Sequence, residues 1–326
     1  AAVLSAGVAS ATDRKGRRII DLMLEAAQPH LLRILGPNCV GFLVPGLGLN
    51  ASFAPVSTVS GPLAFVSQSG ALVTAVLDWA NSRGIGFSHF ISVGDRADVD
   101  FGDLIDYLGS DPHTRAILLY VESVKTPRKF LSAARAASRN KPVIVVKTGR
   151  APEGARAAAT HSGVLAGADE VFDAAIRRAG MLRVENLLDL FVAVETLARG
   201  PRFEGDRLMV VSNGGGAGVL AADAAALGGA RLAELSAATI ERLDALLPPM
   251  WSRANPVDII GDAPVERYVE TLKVLGDAKE ADAILFIHAP SAIVPADAIA
   301  EACVPVVKAA TRPVLCEAGV VRSRAK

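Results

Sequence analysis

Two serine- and glycine-rich turns stand out among the residues that could do chemistry. One is Ser67-Gln68-Ser69-Gly70-Ala71, and the other is Ser212-Asn213-Gly214-Gly215-Gly216-Ala217-Gly218. Each follows a short apolar run and precedes a helix-like segment. A helix N-terminus carries unpaired N–H groups and the positive end of the helix dipole, so it suits a phosphate or a carboxylate. Serines also cap helices, and a capping turn is the simpler reading of residues 67–71. In the second turn, four glycines in five residues are costly in backbone entropy. That density favours a ligand or anion approaching the backbone over a tight turn with close helix–sheet packing.

A third cluster, Thr160-His161-Ser162-Gly163, places a histidine among small residues that leave its ring within reach. The segment reads as a loop, and by composition alone a surface or packing histidine is the plainer reading. Glu122 directly follows the apolar run Ala116–Val121. A carboxylate at the C-terminal end of a parallel strand stands where open α/β sheets bind ligands. It can orient a histidine and fix its tautomer. An exposed loop carboxylate fits equally well. His30, His89, His113 and His288 lack HxxxH or HxH spacing, so no metal ligand is assigned.

Strand-like and helix-like segments alternate around these residues. Leu63–Val66, Phe87–Val93, Ala116–Val121 and Pro142–Val146 read as strands. Ala71–Ala80, Asp103–Leu108, Phe130–Ser138, Val171–Ala179 and Leu187–Ala198 read as helices. After a polar break at residues 202–206 the pattern restarts. Leu208–Val211, Val257–Ile260 and Ala283–Ile287 are strands, Val219–Leu227, Ala238–Leu247 and Val265–Leu275 are helices, and Pro305 is expected to break a helix at Pro295–Ala310. Continuous apolar strands between helices indicate parallel sheets covered on both faces. The fold class is therefore α/β, with two consecutive doubly wound parallel-sheet domains. Their openings are alike: a strand, a Ser-x-small turn and a helix.

The chain has 326 residues, enough for two or three domains. Lys+Arg and Asp+Glu are both 34, so no basic excess suggests nucleic acid and no acidic tail is present. No apolar run reaches the roughly 18 residues of a spanning helix. Cys39, Cys303 and Cys316 are far apart without CxxC, against a disulfide scaffold or a cysteine zinc site. A reducing, cytoplasmic setting is expected. The first residues do not read as a signal peptide. The abrupt apolar run at Ala2–Leu4 and the strand-like Pro313–Cys316 with no helix after it suggest an internal piece of a longer protein.

Taken in order, GPNC at Gly36–Cys39, SQSG at Ser67–Gly70, the strand-end Glu122, THSG at Thr160–Gly163 and SNGGGAG at Ser212–Gly218 resemble the NDP-forming acyl-CoA synthetases, relatives of succinyl-CoA synthetase. The resemblance covers nearly the whole chain. It implies two flavodoxin-like domains, 57–200 with a phosphohistidine and 201–326, the latter expected to be truncated. Residues 1–56 would be the C-terminal remnant of a Rossmann-like CoA-binding domain plus a linker. The implied reaction interconverts acyl-CoA, phosphate and ADP with the acid, CoA and ATP through an acyl phosphate. His161 would carry the phosphoryl group and Glu122 would orient its ring. Ser67, Ser69, Gly70 and Ala71 with Asn213, Gly214, Gly215, Gly216 and Ala217 would form two helix N-termini for the phosphate, one from each domain. Asn213 and Ser291 would lie near the acid, and Ser5, Ala6, Asn38 and Cys39 near the CoA thiol arm. The substrates implied are coenzyme A and ATP/ADP, with Mg2+ at an ATP-grasp domain in the same chain or a partner subunit.

The sequence departs from that pattern in two ways. The Gly-rich phosphate turn of the CoA-binding domain is missing, and no ATP-grasp domain or GxxxxGK[ST] motif replaces it. The chain alone is expected neither to bind nucleotide well nor to complete the cycle. Its apolar composition suggests exposed interdomain surface and self-association. Two other functions compete. One is a ligand-sensing, regulatory region of a larger protein acyltransferase, against which the presence of His161 counts. The other is a non-catalytic scaffold binding small anions.

Overall fold

The computed structural model describes residues 1–162, 168–199 and 205–318. The chain divides into two compact units, Ala1–Arg199 and Gly200–Lys326. In the first unit helix α1 (Ile19–Ala27) precedes strands β1 (Gly41–Val44), β2 (Leu49–Ser52) and β3 (Ser60–Ser67). Helix α2 (Gly70–Ser82), β4 (Phe87–Ser92), α3 (Phe101–Ser110), β5 (Ala116–Val121), α4 (Pro127–Ser138) and β6 (Val143–Lys147) follow. The unit closes with α5 (Pro152–Ser162), α6 (Asp169–Arg178), β7 (Leu182–Val184) and α7 (Leu187–Arg199). Its sheet runs β2-β1-β4-β3-β5-β6-β7. The five strands from β4 to β7 are parallel, and β1 pairs antiparallel with both β4 and β2.

Both faces of this sheet are buried, as the continuous apolar runs require. In β5, Ile117, Leu119 and Val121 pack with Phe101, Ile105 and Leu108 of α3 and Phe130 of α4. The alternate residues Ala116 and Leu118 pack with Val73, Val76 and Leu77 of α2 and Leu190 and Val194 of α7. Helix α2, which follows β3, thus lies on one face, and α4, which follows β5, on the other. The carboxyl ends of β3 and β5 part at this switch in winding, where doubly wound sheets form their ligand crevice.

Two expectations meet differences here. Strands β1 and β2 lie in the stretch assigned to a separate remnant at residues 1–56, yet they are hydrogen-bonded into the first sheet. They are four residues each, joined by a Pro-Gly turn, and such short pairings leave little periodicity to read. The segment Thr160-His161-Ser162, read as a loop, is the last turn of α5. Pro152 sits in the first turn, where a proline is tolerated, and the alanine-rich run that follows propagates the helix. The next helix starts at Asp169.

The second unit contains β8 (Arg207–Ser212), α8 (Gly215–Leu227), β9 (Arg231–Leu232), α9 (Ala237–Asp244) and β10 (Val257–Asp258). Helix α10 (Val265–Asp277), β11 (Ala283–His288), α11 (Ala296–Ala309) and β12 (Val314–Ala318) complete it. The parallel order is β10-β8-β11-β12, with β9 also paired to β8. Strands β9 and β10 are two residues each. Asn255 fills the gap between them, accepting the Val210 N–H and donating to the Leu208 and Ala233 carbonyls. Met209, Val211, Ile284 and Phe286 of the strands pack with Leu243, Tyr268, Leu272 and Ile299 of the helices. Pro305 does not break α11, which runs on to Ala309. Val306 and Val307 pack on this core and hold the helix past the proline. Among the described residues no helix is long and apolar enough to cross a membrane.

Candidate active site

β3 ends at Ser67, which is fully buried. The Ser67 Oγ donates to the Ser69 carbonyl at 2.8 Å and accepts the Ser69 N–H at 3.1 Å. This small ring turns the chain into α2. Ser69 is the N-cap, its hydroxyl accepting the Leu72 N–H at 3.4 Å. Capping and an anion site are therefore compatible: the N–H groups of Gly70 and Ala71 belong to the first turn, which a helix leaves without intrahelical partners.

Gln68, at the tip of the turn, reaches the end of β5. Its Oε1 accepts the N–H groups of Glu122 and Ser123, both at 3.1 Å. Its Nε2 lies 3.4 Å from Glu122 Oε2 and 3.4 Å from Ser123 Oγ. From the other side the Arg96 guanidinium donates to the Ser123 carbonyl and, at 3.0 Å, to its Oγ. Arg96 has φ +52° and lies 5.7 Å over the Phe101 ring. Burial pushes its pKa down, and the charge of Glu122 is the first of the neighbours to oppose that shift. Glu122, the carboxylate singled out in the sequence, is buried rather than an exposed loop residue.

A cavity of about 450 Å³ opens at these strand ends. Gln68, Ser69, Gly70, Ala71 and Glu122 share its wall with Ala6, Asn38, Cys39 and Asp95. The turn at residues 36–39 is seated by Gly94. Gly94 has φ +53°, and a Cβ there would stand 2.1 Å from the Pro37 carbonyl oxygen, so only glycine fits. Asn38, at φ +57°, donates from Nδ2 to Asp95 Oδ1 at 3.2 Å. The Ser5 carbonyl accepts the Asn38 N–H at 3.0 Å, while Ser5 itself is exposed and does not line the cavity as its neighbours Leu4 and Ala6 do. Cys39 is buried; its Sγ–H donates to the Val3 carbonyl at 3.4 Å and burial pushes the thiol pKa up. The described geometry thus gathers Ala6, Asn38, Cys39, Ser69, Gly70, Ala71 and Glu122 around one space, with Ser67 beneath it as a structural hydroxyl.

The second unit repeats the construction. The Ser212 Oγ donates to the Gly214 carbonyl at 3.2 Å and accepts the Gly214 N–H at 3.0 Å. Asn213 is buried, donating from Nδ2 to the Ala289 carbonyl and accepting the Ala289 N–H, both at 2.8 Å. Ala289 follows β11 as Glu122 follows β5. The glycines divide in two. A Cβ on Gly214 would meet Ala289 at 2.9 Å and one on Gly218 would meet Pro256 at 3.1 Å, so these serve packing. A Cβ on Gly216 would meet nothing within 4 Å. Gly215 and Gly216 are exposed in the first turn of α8, with Ala217 behind them. Ser291 is exposed, its Oγ accepting the Ile293 N–H at 3.3 Å. His288 is buried against the Tyr268 hydroxyl at 3.1 Å and is not part of an open site.

The backbone of His161 lies in the last turn of α5, but its side chain is outside the described residues, as is Gly163. Gln68 and Arg96 were not singled out from the sequence. Gln68 sits inside the quoted SQSG motif, but its partners are 54 and 55 positions away, and nothing local marks that pairing. Among the described residues no group of three or more His, Cys, Asp or Glu could hold a metal ion.

Residues 60–197 match the succinyl-CoA ligase-like flavodoxin domain, and residues 208–325 match the ligase-CoA domain. The chain is 38% identical over 292 residues to acetate–CoA ligase [ADP-forming] I of Archaeoglobus fulgidus, covering 90% of this chain and 42% of that protein. It is 38% identical over 290 residues to the alpha subunit of acetate–CoA ligase [ADP-forming] I of Pyrococcus furiosus, covering 88% of this chain and 62% of that subunit. The chain thus spans less than two thirds of these curated relatives. Among solved structures it is similar to the dinucleotide-forming acetyl-coenzyme A synthetase 1 of Ca. Korarchaeum cryptofilum in complex with phosphate and ADP. The TM-score is 0.89 at 34% identity, covering 98% of this chain and 69% of that one. By its two matched domains, its coverage of these proteins and its fold, the chain belongs to the succinyl-CoA ligase-like family of ADP-forming acyl-CoA synthetases.

Proposed function

We propose that this chain is the acyl- and phosphoryl-transfer core of an ADP-forming acyl-CoA ligase. The observation that carries the reading is the cavity where the N-terminus of α2, the 36–39 turn and Glu122 converge. A phosphate oxygen attacks the thioester carbonyl of acyl-CoA; the C–S bond breaks and CoA leaves as the thiol after gaining a proton. A ring nitrogen of His161 then attacks the phosphorus of the acyl phosphate, and the P–O bond to the acid breaks. The phosphoryl group passes from His161 to ADP. Glu122 accepts the other ring N–H of His161 and fixes its tautomer. The open N–H groups at Gly70 and Ala71 stabilise the transferring phosphoryl oxygens. The first turn of α8 at Gly215–Ala217 offers the same chemistry to an anion.

Ala6 and Asn38 border the CoA thiol arm. Cys39 supports that wall through its buried thiol rather than offering a free sulfur. The Asn213 side chain is committed to Ala289, so its part near the acid is to hold the 289–291 turn beside Ser291. ATP and ADP bind a nucleotide-binding ATP-grasp part, in the same chain or in a partner subunit; the alpha-subunit name of the Pyrococcus relative supports this division. The Mg2+ expected with the nucleotide belongs to that part, and no step here runs through it. A reducing, cytoplasmic setting is part of this reading, since Cys39, Cys303 and Cys316 are an odd number and far apart in the sequence.

The test is to incubate the intact enzyme with γ-labelled ATP, then with ADP or with candidate acids plus CoA. Label that is acid-labile, base-stable and discharged by ADP supports the reading, and the acid that discharges it with CoA names the substrate. No label in an enzyme with a competent nucleotide site overturns it.

A further inference from the structure

We propose that Gln68 is a positioning residue that sets the carboxylate of Glu122. The inference rests on the reading that Glu122 orients His161. Gln68 is not needed to form the turn it occupies. Ser67 closes the ring to Ser69, and Ser69 caps α2. Its side chain is nonetheless buried, and every polar contact it makes is to the end of β5.

The amide orientation is fixed by its partners. Two backbone N–H groups, those of Glu122 and Ser123, converge at 3.1 Å on one atom, which must be the oxygen. The Nε2 donor therefore faces the Glu122 carboxylate and the Ser123 hydroxyl, each at 3.4 Å. The Gln68 N–H itself donates to the Tyr120 carbonyl at 3.1 Å, so the base of the clamp is as fixed as its tip. One end of the amide places the backbone of Glu122, and the other end faces its carboxylate. Arg96 holds Ser123 from the opposite side. Among the described residues the charged and titratable groups around Glu122 are the Arg96 guanidinium and the Tyr120 phenol, with Asp95 and the Cys39 thiol on the same cavity wall.

The test uses the intact enzyme and single-turnover phosphorylation of His161 by ATP. Gln68→Glu keeps an oxygen for the two backbone N–H groups. It replaces the amide donor with a second carboxylate, which repels the Glu122 carboxylate in place of donating to it. The expected result is phosphorylation about tenfold slower at neutral pH, with the acid limb of the rate–pH profile moved to higher pH and the KM for ATP unchanged. A merely structural role would not move that limb. Gln68→Met, similar in shape and without hydrogen bonds, is expected to be slow with no such shift. On a Glu122→Gln background Gln68→Met should cost less than about twofold more, because the two residues act as one unit.

A slow Glu122→Gln variant beside a Gln68→Glu variant of wild-type rate and pH profile overturns the proposal. So do fully additive losses in the double variant. A Glu122→Gln variant of wild-type rate overturns the reading of Glu122 itself, which is a separate failure. If Gln68→Met does not fold, the pH profile of Gln68→Glu decides alone.

Discussion

Gln68 and Asn213 do the same job in the two units. Each is the residue after the serine that closes the switch-point strand. Each uses its side-chain amide to grip the backbone just after the neighbouring strand: Gln68 at Glu122 and Ser123, Asn213 at Ala289. The serines match as well, Ser67 bracketing Ser69 and Ser212 bracketing Gly214. A parallel sheet splits at its switch point because consecutive helices leave on opposite faces, and in the first unit the bond from the Gln68 N–H to the Tyr120 carbonyl is where the backbone pairing of β3 with β5 ends. A buried amide carries both a donor and an acceptor and can bridge it. The longer Gln side chain also faces a carboxylate; the shorter Asn meets only backbone.

Asn213→Ala should therefore weaken the second unit. It removes two 2.8 Å hydrogen bonds and strips the Ala289 N–H and carbonyl of their partner, a loss of about 2 kcal/mol. Trp251 is buried in this unit's core and reports its unfolding by fluorescence when Trp79 is replaced by Phe. Urea unfolding followed that way should show a lower midpoint. An unchanged midpoint would mean the clamp adds nothing to stability.

His161→Asn should abolish turnover in the intact enzyme and leave the fold unchanged, because its short side chain keeps an amide but cannot carry the phosphoryl group. Glu122→Gln should slow formation or discharge of the phosphohistidine by about tenfold to a hundredfold, since it removes the charge that favours one ring tautomer. Both are read by quenched-flow labelling with γ-labelled ATP. Full activity in the His161 variant would remove the covalent step from the mechanism.

The parts of this structure legible in the sequence are those fixed by local pattern. Ala116–Val121 was readable to the residue because an unbroken apolar run must be a strand buried on both faces. Ser69 was readable as a cap because serine before a helix competes for the same N–H groups. The remainder depends on pairings far apart in the chain. Strands β1 and β2 are defined by partners, β4 above all, rather than by periodicity. Gln68 looks like one more small polar turn residue until β5 comes beside it. The histidine segment misled in the opposite sense: small flanking residues suggested a loop, while the alanine run before it carries the helix through His161.

Asp103 gives the fold a pH-dependent contribution that can be read separately from catalysis. Burial pushes its pKa up, but the Asp100 N–H, then the side chains of Lys129 and Arg33, outweigh that and hold it at about 2. A carboxyl whose folded pKa is depressed adds stability above its unfolded pKa, about 4, and loses it as pH falls through the folded value. Asp103→Asn should lower the thermal midpoint at pH 6 and leave a shallower loss of stability between pH about 4 and 2. Parallel acid limbs in the two proteins would show that the ion pairs with Lys129 and Arg33 are screened away.

Gly94 and Gly216 differ in what a Cβ would meet, which lets a demand of the fold be told from a demand of a ligand. Gly94→Ala must place a Cβ 2.1 Å from the Pro37 carbonyl oxygen at φ +53°, so the 36–39 turn has to shift. Stability and activity should fall together, the former by about 2 kcal/mol or more. Gly216→Ala meets open space in the first turn of a helix. There alanine is the better helix former, and the thermal midpoint should hold or rise by the equivalent of about 0.5–1 kcal/mol. If an anion approaches this backbone, the added methyl group stands in its way, and the affinity of the intact enzyme for phosphate or acyl phosphate should fall. Paired measurements of midpoint and phosphate KM decide the matter. A Gly216→Ala enzyme with a raised midpoint and unchanged KM would show that the glycine run is there for packing at Gly214 and Gly218, and that the anion site lies at α2 alone.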